Sequence, residues 1–153
     1  MAGKILVAYA TRAGSTAEVA QAMAEALRAR SVGETVDVVP VKEVADLSPY
    51  RAVIVGSAVR YGKWLPEAVD FVAMHQAALA KVPTAFFLVS GFLKTDTPEM
   101  RAKVSAFLDP VRKIMRSGKE GLFAGKTAKG DWRNWDEIRA WAVQALLPSE
   151  GIL

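Results

Sequence analysis

Short, almost purely apolar runs alternate with helical patterns along this chain, and this alternation restricts its fold more than any other feature. The runs read as buried strands, and there are five of them: Lys4–Ala10, Thr35–Val41, Ala52–Ala58, Thr84–Ser90 and Gly121–Ala124. The first, third and fourth contain hardly any polar residue, as is typical of parallel strands that are covered on both faces. Strands alternating with helices predict a doubly wound α/β sheet with right-handed crossovers.

Helical patterns fill the gaps between these strands. They cover Thr16–Arg30 behind Ser15, Leu65–Ala80, a segment that starts at Thr97, and Asn134–Leu147. Pro110 interrupts the third pattern, and its missing N–H predicts a kink or a split there. Neither a linker nor an internal repeat is visible, so we expect one domain over residues 1–153.

The expected strand order is 2-1-3-4-5, which gives a three-layer sandwich. In such sheets ligands bind beyond the carboxyl ends of the strands, near the point where the strand order reverses. The functional loops are therefore those after strands one, three, four and five. We call them the first loop (11–16), the third loop (56–66), the fourth loop (90–98) and the fifth loop (124–132).

The amino-acid composition excludes several kinds of covalent link, catalytic group and metal site. The chain has no cysteine and one histidine, so disulfides, thiolate nucleophiles, iron–sulfur clusters and Cys/His zinc sites are excluded, and we predict no metal site. No nucleophile–base pair or catalytic carboxylate pair is visible, so we predict no catalytic side chain. Redox chemistry would have to come from a bound organic cofactor.

The loop sequences exclude three classes of protein that are known to have this architecture. A dinucleotide site needs three close glycines after the first strand, where only Gly14 is present. The nearest P-loop-like stretch, 121–127, has the wrong spacing and follows the wrong strand. A receiver domain needs carboxylates at the ends of strands one and three, which end in "AYAT" and "VGSA".

The first loop reads "TRAGST" and opens a helix. Thr11, Ser15 and Thr16 offer hydroxyl groups, Gly14 lets the backbone approach closely, and the helix N-terminus offers free N–H groups. This stretch predicts a phosphate cradle, although a simple helix cap would use the same residues.

The third and fourth loops place aromatic side chains at the same edge of the sheet. They read "GSAVRYGKWLP" and "SGFLKTDTP", and they carry Tyr61, Trp64 and Phe92 beside flexible glycines. A planar ring between these loops would stack on the aromatic side chains. A phosphate at the first loop and a ring between the other two describe a mononucleotide with a flat heterocycle.

With these motifs the chain resembles the flavodoxin-like FMN-binding domains along essentially its whole length. "TRAGSTAEVA", "GSAVRYGKW" and "FFLVSGFLKTDTPEMRAKV" are most similar to the bacterial, quinone-dependent protoporphyrinogen oxidase branch of that family. The resemblance implies FMN as the cofactor. It implies phosphate contacts at Thr11, Arg12, Ala13, Gly14, Ser15 and Thr16. It implies ring contacts at Ser57, Ala58, Val59, Arg60, Tyr61, Gly62, Lys63, Ser90, Gly91, Phe92 and Leu93.

One departure concerns the fifth loop. The oxidase branch has a long extra loop near strand five, whereas "AGKTAKGDW" leads directly into the last helix here. The resemblance therefore supports FMN binding more strongly than it supports the oxidase activity.

The four loops are basic. They carry six basic and two acidic side chains, a balance equal to the net charge of +4 of the whole chain. This predicts an anionic partner: an acidic redox protein, a small-molecule donor or acceptor such as a quinone or a porphyrinogen, a nicotinamide dinucleotide, or peripheral contact with an anionic membrane surface. No nucleic-acid partner is expected, because no recognition helix or basic run is visible.

Three functions follow as alternatives. The first is a cytoplasmic FMN-binding electron carrier, since no signal-peptide pattern or membrane-spanning run is present. Its potential would be raised by the cationic Arg60 and Lys63, which favour the reduced, more negative flavin. The second is a flavin-dependent protoporphyrinogen oxidase that passes electrons to a quinone. The third is an interaction module that kept the fold and lost the flavin.

Overall fold

The computed structural model describes residues 3–30, 35–116 and 119–146. The strands are β1 (Lys4–Ala10), β2 (Thr35–Pro40), β3 (Tyr50–Arg60), β4 (Lys63–Trp64), β5 (Thr84–Ser90), β6 (Glu120–Ala124), β7 (Lys126–Thr127) and β8 (Gly130–Asp131). The helices are α1 (Ser15–Arg30), α2 (Pro66–Met74), α3 (Gln76–Leu79), α4 (Pro98–Ser105), α5 (Asp109–Arg112) and α6 (Trp135–Ala145).

The main sheet confirms the predicted topology. Its order is β2-β1-β3-β5-β6 with every neighbouring pair parallel, and the predicted strands four and five are β5 and β6. The two-residue strand β4 returns antiparallel to β3, which turns the start of the third loop into a hairpin. A second small hairpin, β7–β8, occupies the fifth loop.

Helices cover both faces of the sheet and divide the core into two layers. Side chains of α1 and α6, such as Met23 and Ile138, pack on one face. Side chains of α2, α4 and α5, such as Val72, Val104 and Val111, pack on the other. Strand β5 is buried at all its positions, as a strand covered on both faces must be.

The helix boundaries agree with the prediction near Thr97 and Pro110 and differ from it over 65–80. Thr97 accepts a hydrogen bond from the Met100 N–H and caps α4, and Pro98 is the first residue of that helix. The expected interruption near Pro110 is present as a short 3₁₀ turn between α4 and α5. The single helix expected over 65–80 is wrong, since α2 ends before His75 and α3 follows it. Leu147, the expected last residue of the final helix, lies outside the described residues.

The parallel strands deliver the first, third, fourth and fifth loops to one edge of the sheet. Close packing fixes this edge, because Gly56 of β3 faces the ring of Phe87 on β5. A Cβ at position 56 would lie 1.9 Å from Phe87 Cζ, so only glycine fits there. Within the described ranges, no helix is both long and apolar enough to cross a membrane.

Candidate functional site

The first loop bends tightly over the N-terminus of α1. Gly14 has a φ of 92°, in the left-handed region that favours glycine, and its N–H donates to Thr11 Oγ1 at 3.0 Å. This bond fixes the Thr11 side chain over the turn. The N–H groups of the first turn of α1 have no partners within the helix, so the loop opens onto a natural anion site.

Thr16, the second residue of α1, shows whether the first loop fits a phosphate. Its side chain is 0% exposed, and its hydroxyl has no hydrogen-bond partner among the described residues. A buried hydroxyl that lacks a partner costs about 1–3 kcal/mol. A phosphate oxygen at the helix N-terminus would accept that hydrogen bond, so the residues present fit the phosphate of a mononucleotide.

Arg12 is already engaged by a neighbouring element. Its guanidinium forms a two-pronged ion pair with Glu67 in the first turn of α2, where Nη2 lies 3.0 Å from Oε1. The pairing holds the pKa of the Glu67 carboxyl below its usual value. A phosphate contact by Arg12 therefore stays a prediction, and the observed role of this side chain is to join the first loop to α2.

A cavity of about 390 Å³ lies between the third and fourth loops, where the sequence predicts the ring. Six predicted ring contacts line it: Val59, Tyr61, Gly62, Ser90, Gly91 and Phe92. Three further residues complete the lining: Lys94, Thr95 and Met100. The resemblance implied no cofactor contact for these three residues, although Lys94 and Thr95 lie in the fourth loop together with Phe92. The aromatic and apolar walls suit a flat heterocycle.

The third loop turns through two left-handed residues. Tyr61 has a φ of 53° and Gly62 a φ of 71°, and together they join β3 to β4. Left-handed backbone is expected for glycine but uncommon for tyrosine. The turn leaves the Tyr61 side chain 87% exposed at the rim of the ring cavity.

Other predicted ring contacts have internal roles or face elsewhere. The Ser57 hydroxyl is buried, accepts from the Leu65 N–H at 2.9 Å and donates to the Ala58 carbonyl at 2.6 Å. Leu93 is buried in the core. Cofactor contacts by Ser57, Ala58 and Leu93 stay predictions. Cofactor contacts by Arg60 and Lys63 also stay predictions, and both residues line a different cleft together with Arg12 of the first loop.

The fifth loop, which the sequence places among the functional loops, lies beside the first loop. A hollow of about 290 Å³ separates Ala13, Gly14 and Ser15 from the β7–β8 hairpin at Lys126, Thr127 and Ala128. Thr127 also lies against the fourth loop, because a Cβ at Gly91 would be 2.8 Å from its Cγ2. The hairpin thus touches both ends of the predicted mononucleotide site.

Arg133 fastens this hairpin to the first turn of α1. Its side chain is 5% exposed, and its guanidinium binds Asp131 at 2.7 Å, Glu18 at 2.6 Å and the Ser15 carbonyl at 3.2 Å. Hydrogen bonds from Arg133 lower the pKa of Asp131 to about 2. The same guanidinium stacks 4.6 Å from the centroid of the Trp135 ring. No sequence motif pointed to this residue.

Comparisons with known proteins agree with this geometry. The family model described as "Flavodoxin domain" matches residues 6–144. A protoporphyrinogen IX dehydrogenase [quinone] of Escherichia coli (strain K12) is 32% identical over 100 residues, covering 64% of this chain and 53% of that protein. A protein of the same description from Leishmania major is 32% identical over 89 residues, covering 57% of this chain and 38% of that protein. The chain thus spans about half, or less, of the length of these relatives.

Solved structures show the same fold. A flavodoxin from the domain Archaea has a TM-score of 0.61 at 21% identity, covering 94% of this chain and 96% of that one. A short-chain flavodoxin associated with a bacterial microcompartment has a TM-score of 0.64 at 16% identity, covering 95% of this chain and 97% of that one. The three-layer arrangement is therefore that of a flavodoxin.

Proposed function

The chain belongs to the flavodoxin domain family, and on that premise we propose that it holds FMN across the first, third and fourth loops and transfers electrons through it. As a member of this family it is an FMN-binding redox protein. The assignment of particular residues to the cofactor is our proposal.

The first loop and α1 would hold the phosphate. Thr16 donates its otherwise unpartnered hydroxyl, the N–H groups at the start of α1 donate as well, and the helix dipole adds roughly half a positive charge. Thr11 fixes the bend through its bond from Gly14. This arrangement needs no bound metal and no charged side chain in direct contact with the phosphate.

The cavity between the third and fourth loops would hold the ring. Bound flavin supplies the electron-transfer chemistry, and the chain orients it and excludes water from its faces. Tyr61 and Phe92 provide aromatic walls, and the backbone of the hairpin turn at Gly62 is available to bond the ring edge. Ser57 holds the third loop in place through its bonds to Leu65 and Ala58.

The observation that carries this proposal is the buried hydroxyl of Thr16, which has no hydrogen-bond partner in the part of the chain that the structure describes. Purified protein supplied with FMN and then desalted should stay yellow and keep one FMN per chain. Folded protein that elutes colourless would contradict the proposal and favour the flavin-free interaction module.

Oxidation of protoporphyrinogen with a quinone as electron acceptor is the second candidate. The similarity to the Escherichia coli protoporphyrinogen IX dehydrogenase [quinone] favours it, and so does the basic rim of the site, which suits an anionic substrate. Against it stands the fifth loop, which here is only a two-stranded hairpin pinned by Arg133. An assay with protoporphyrinogen and a soluble quinone separates the two candidates. Turnover no faster than with free FMN would leave electron transfer to another partner as the function.

We place the protein in the cytoplasm as part of the same proposal. A chain without cysteine is compatible with a reducing compartment. The partner would be an anionic redox protein or a small-molecule donor or acceptor, because the loops around the site carry the excess positive charge. Fractionation of cells that contain the tagged chain tests the location.

A further inference from the structure

A second cleft, of about 400 Å³, is lined by residues of the β3–β4 hairpin, by the two residues that follow it and by Arg12 of the first loop. Its apolar lining comes from Tyr61, Trp64, Leu65 and Pro66. Tyr61 also lines the ring cavity, so the cleft and the proposed flavin site share this residue. A molecule in this cleft would lie next to the cofactor.

Three cations surround this apolar floor: Arg12, Arg60 and Lys63. Glu67 already balances the charge of Arg12. Among the described residues, no carboxylate forms an ion pair with Arg60 or Lys63, and the recorded contact of Arg60 is with the Tyr61 ring at 5.2 Å. The cleft therefore keeps two uncompensated positive charges over an apolar surface.

The hairpin holds these two cations together against their own repulsion. Arg60 and Lys63 are register partners on the antiparallel pair, where like charges directly opposite each other are destabilising. The connecting turn adds the left-handed Tyr61, a further cost. Two unfavourable features in one exposed hairpin are typical of a binding loop, since an anion between the cations relieves the repulsion.

We propose that this cleft binds a planar aromatic carboxylate, whose carboxylate lies between Arg60 and Lys63 and whose ring lies against Tyr61 and the apolar floor. The fork of an arginine suits a carboxylate. The volume and the aromatic wall suit a ring system of a few fused rings. The inference deepens the proposed function and rests on it, because it names the chemical class of the small molecule that approaches the flavin.

Calorimetric titration of the FMN-saturated full chain with naphthoate tests the site, with the uncharged naphthol as a neutral analogue. The variant R60Q/K63Q removes both cations of the cleft. The variant K81Q/K113Q removes the same total charge from exposed positions outside the cleft and away from the loops of the site, and serves as the matched control.

Naphthoate should bind once per chain to the wild-type and K81Q/K113Q proteins, and at least about tenfold more weakly to R60Q/K63Q. Naphthol should bind more weakly than naphthoate to the wild type and with the same affinity to all three proteins. Added salt should weaken naphthoate binding alone. The nuclear magnetic resonance signal of the Trp64 indole N–H, which donates to the Phe87 carbonyl, should move on naphthoate binding and locate the ligand in the cleft.

Equal naphthoate affinity in the two double variants, or no saturable binding to the wild type, would overturn the inference. Repeating the titration on flavin-free protein separates this result from a failure of the proposed function. If FMN does not bind but naphthoate still does and still depends on Arg60 and Lys63, the cleft stands and the flavin assignment falls.

Discussion

Arg133 and Glu18 lie 115 residues apart in the sequence and form an ion pair with Nη1 2.6 Å from Oε1. The pair joins the segment after the β7–β8 hairpin to the first turn of α1, the turn that would hold the phosphate. The fifth loop is thereby joined to the helix that carries the proposed phosphate site.

Replacing Arg133 by methionine should lower the free energy of unfolding by about 1–3 kcal/mol. The change removes hydrogen bonds to Asp131, Glu18 and the Ser15 carbonyl from a side chain that is almost fully buried. Urea denaturation measures the effect. The control is R139M, which removes a guanidinium 5.9 Å from the same Trp135 ring and should change stability by about 0.5 kcal/mol or less. An equal loss of unfolding free energy in the two variants would show that the ion pairs of Arg133 contribute nothing to stability.

Acid should weaken the contact between Arg133 and Asp131 in a defined range of pH. The pKa of Asp131 is lowered from 3.8 to about 2, mainly by hydrogen bonds from Arg133. A lowered carboxyl pKa stabilises the folded state above the unfolded pKa, and this contribution is lost as the pH falls through the folded value. The difference in unfolding free energy between wild type and D131N should therefore be constant above about pH 4 and shrink between about pH 4 and 2. A difference that stays constant across this range would refute the shift.

Thr16→Val should separate stability from binding. Valine keeps the shape of threonine and removes a buried hydroxyl that no described residue binds. The flavin-free protein should therefore become more stable by about 1 kcal/mol. FMN affinity should fall by about tenfold, because the phosphate loses that donor. Thermal unfolding of the flavin-free protein and titration with FMN measure the two effects. A variant that loses stability while its FMN affinity is unchanged would assign Thr16 a purely structural role.

Changing both Arg60 and Lys63 to glutamine should lower the midpoint potential of the bound flavin. Arg60 directly precedes Tyr61 and Lys63 directly follows Gly62, and Tyr61 and Gly62 both line the ring cavity. Positive charge near the ring favours the reduced, more negative flavin. The shift should be largest at low ionic strength, where screening is weakest. Redox titration of the FMN-loaded variant beside K81Q/K113Q, whose two lysines are exposed and lie outside the loops of the site, measures it. An unchanged potential, or an equal shift in the control, would contradict this role.

Local burial explains why much of the fold could be predicted from the sequence. The segments Lys4–Ala10 and Thr84–Ser90 have the bounds expected of them, because strands covered on both faces are apolar almost throughout. Pro98 and Pro110 marked a helix start and a helix interruption through their missing N–H groups. The end of α2 before His75 left no comparable mark, since the apolar spacing continues through it.

Contacts between distant segments explain what the sequence did not reveal about the site. The loops with aromatic residues and glycines were visible as motifs, and six of the residues predicted from them line the ring cavity. Arg133 forms an ion pair with Glu18, 115 residues away, and Arg12 forms one with Glu67, 55 residues away. Such pairings depend on which loops the sheet brings together, and no local spacing records them.

Isothermal titration of flavin-free, folded protein with FMN and, separately, with riboflavin is the most direct test of phosphate binding by the loop at 11–16. The account predicts one FMN per chain and riboflavin weaker by about a hundredfold or more, since riboflavin lacks the phosphate that Thr16 and the N-terminus of α1 would bind. No heat on addition of FMN, or equal affinities for the two flavins, would contradict it.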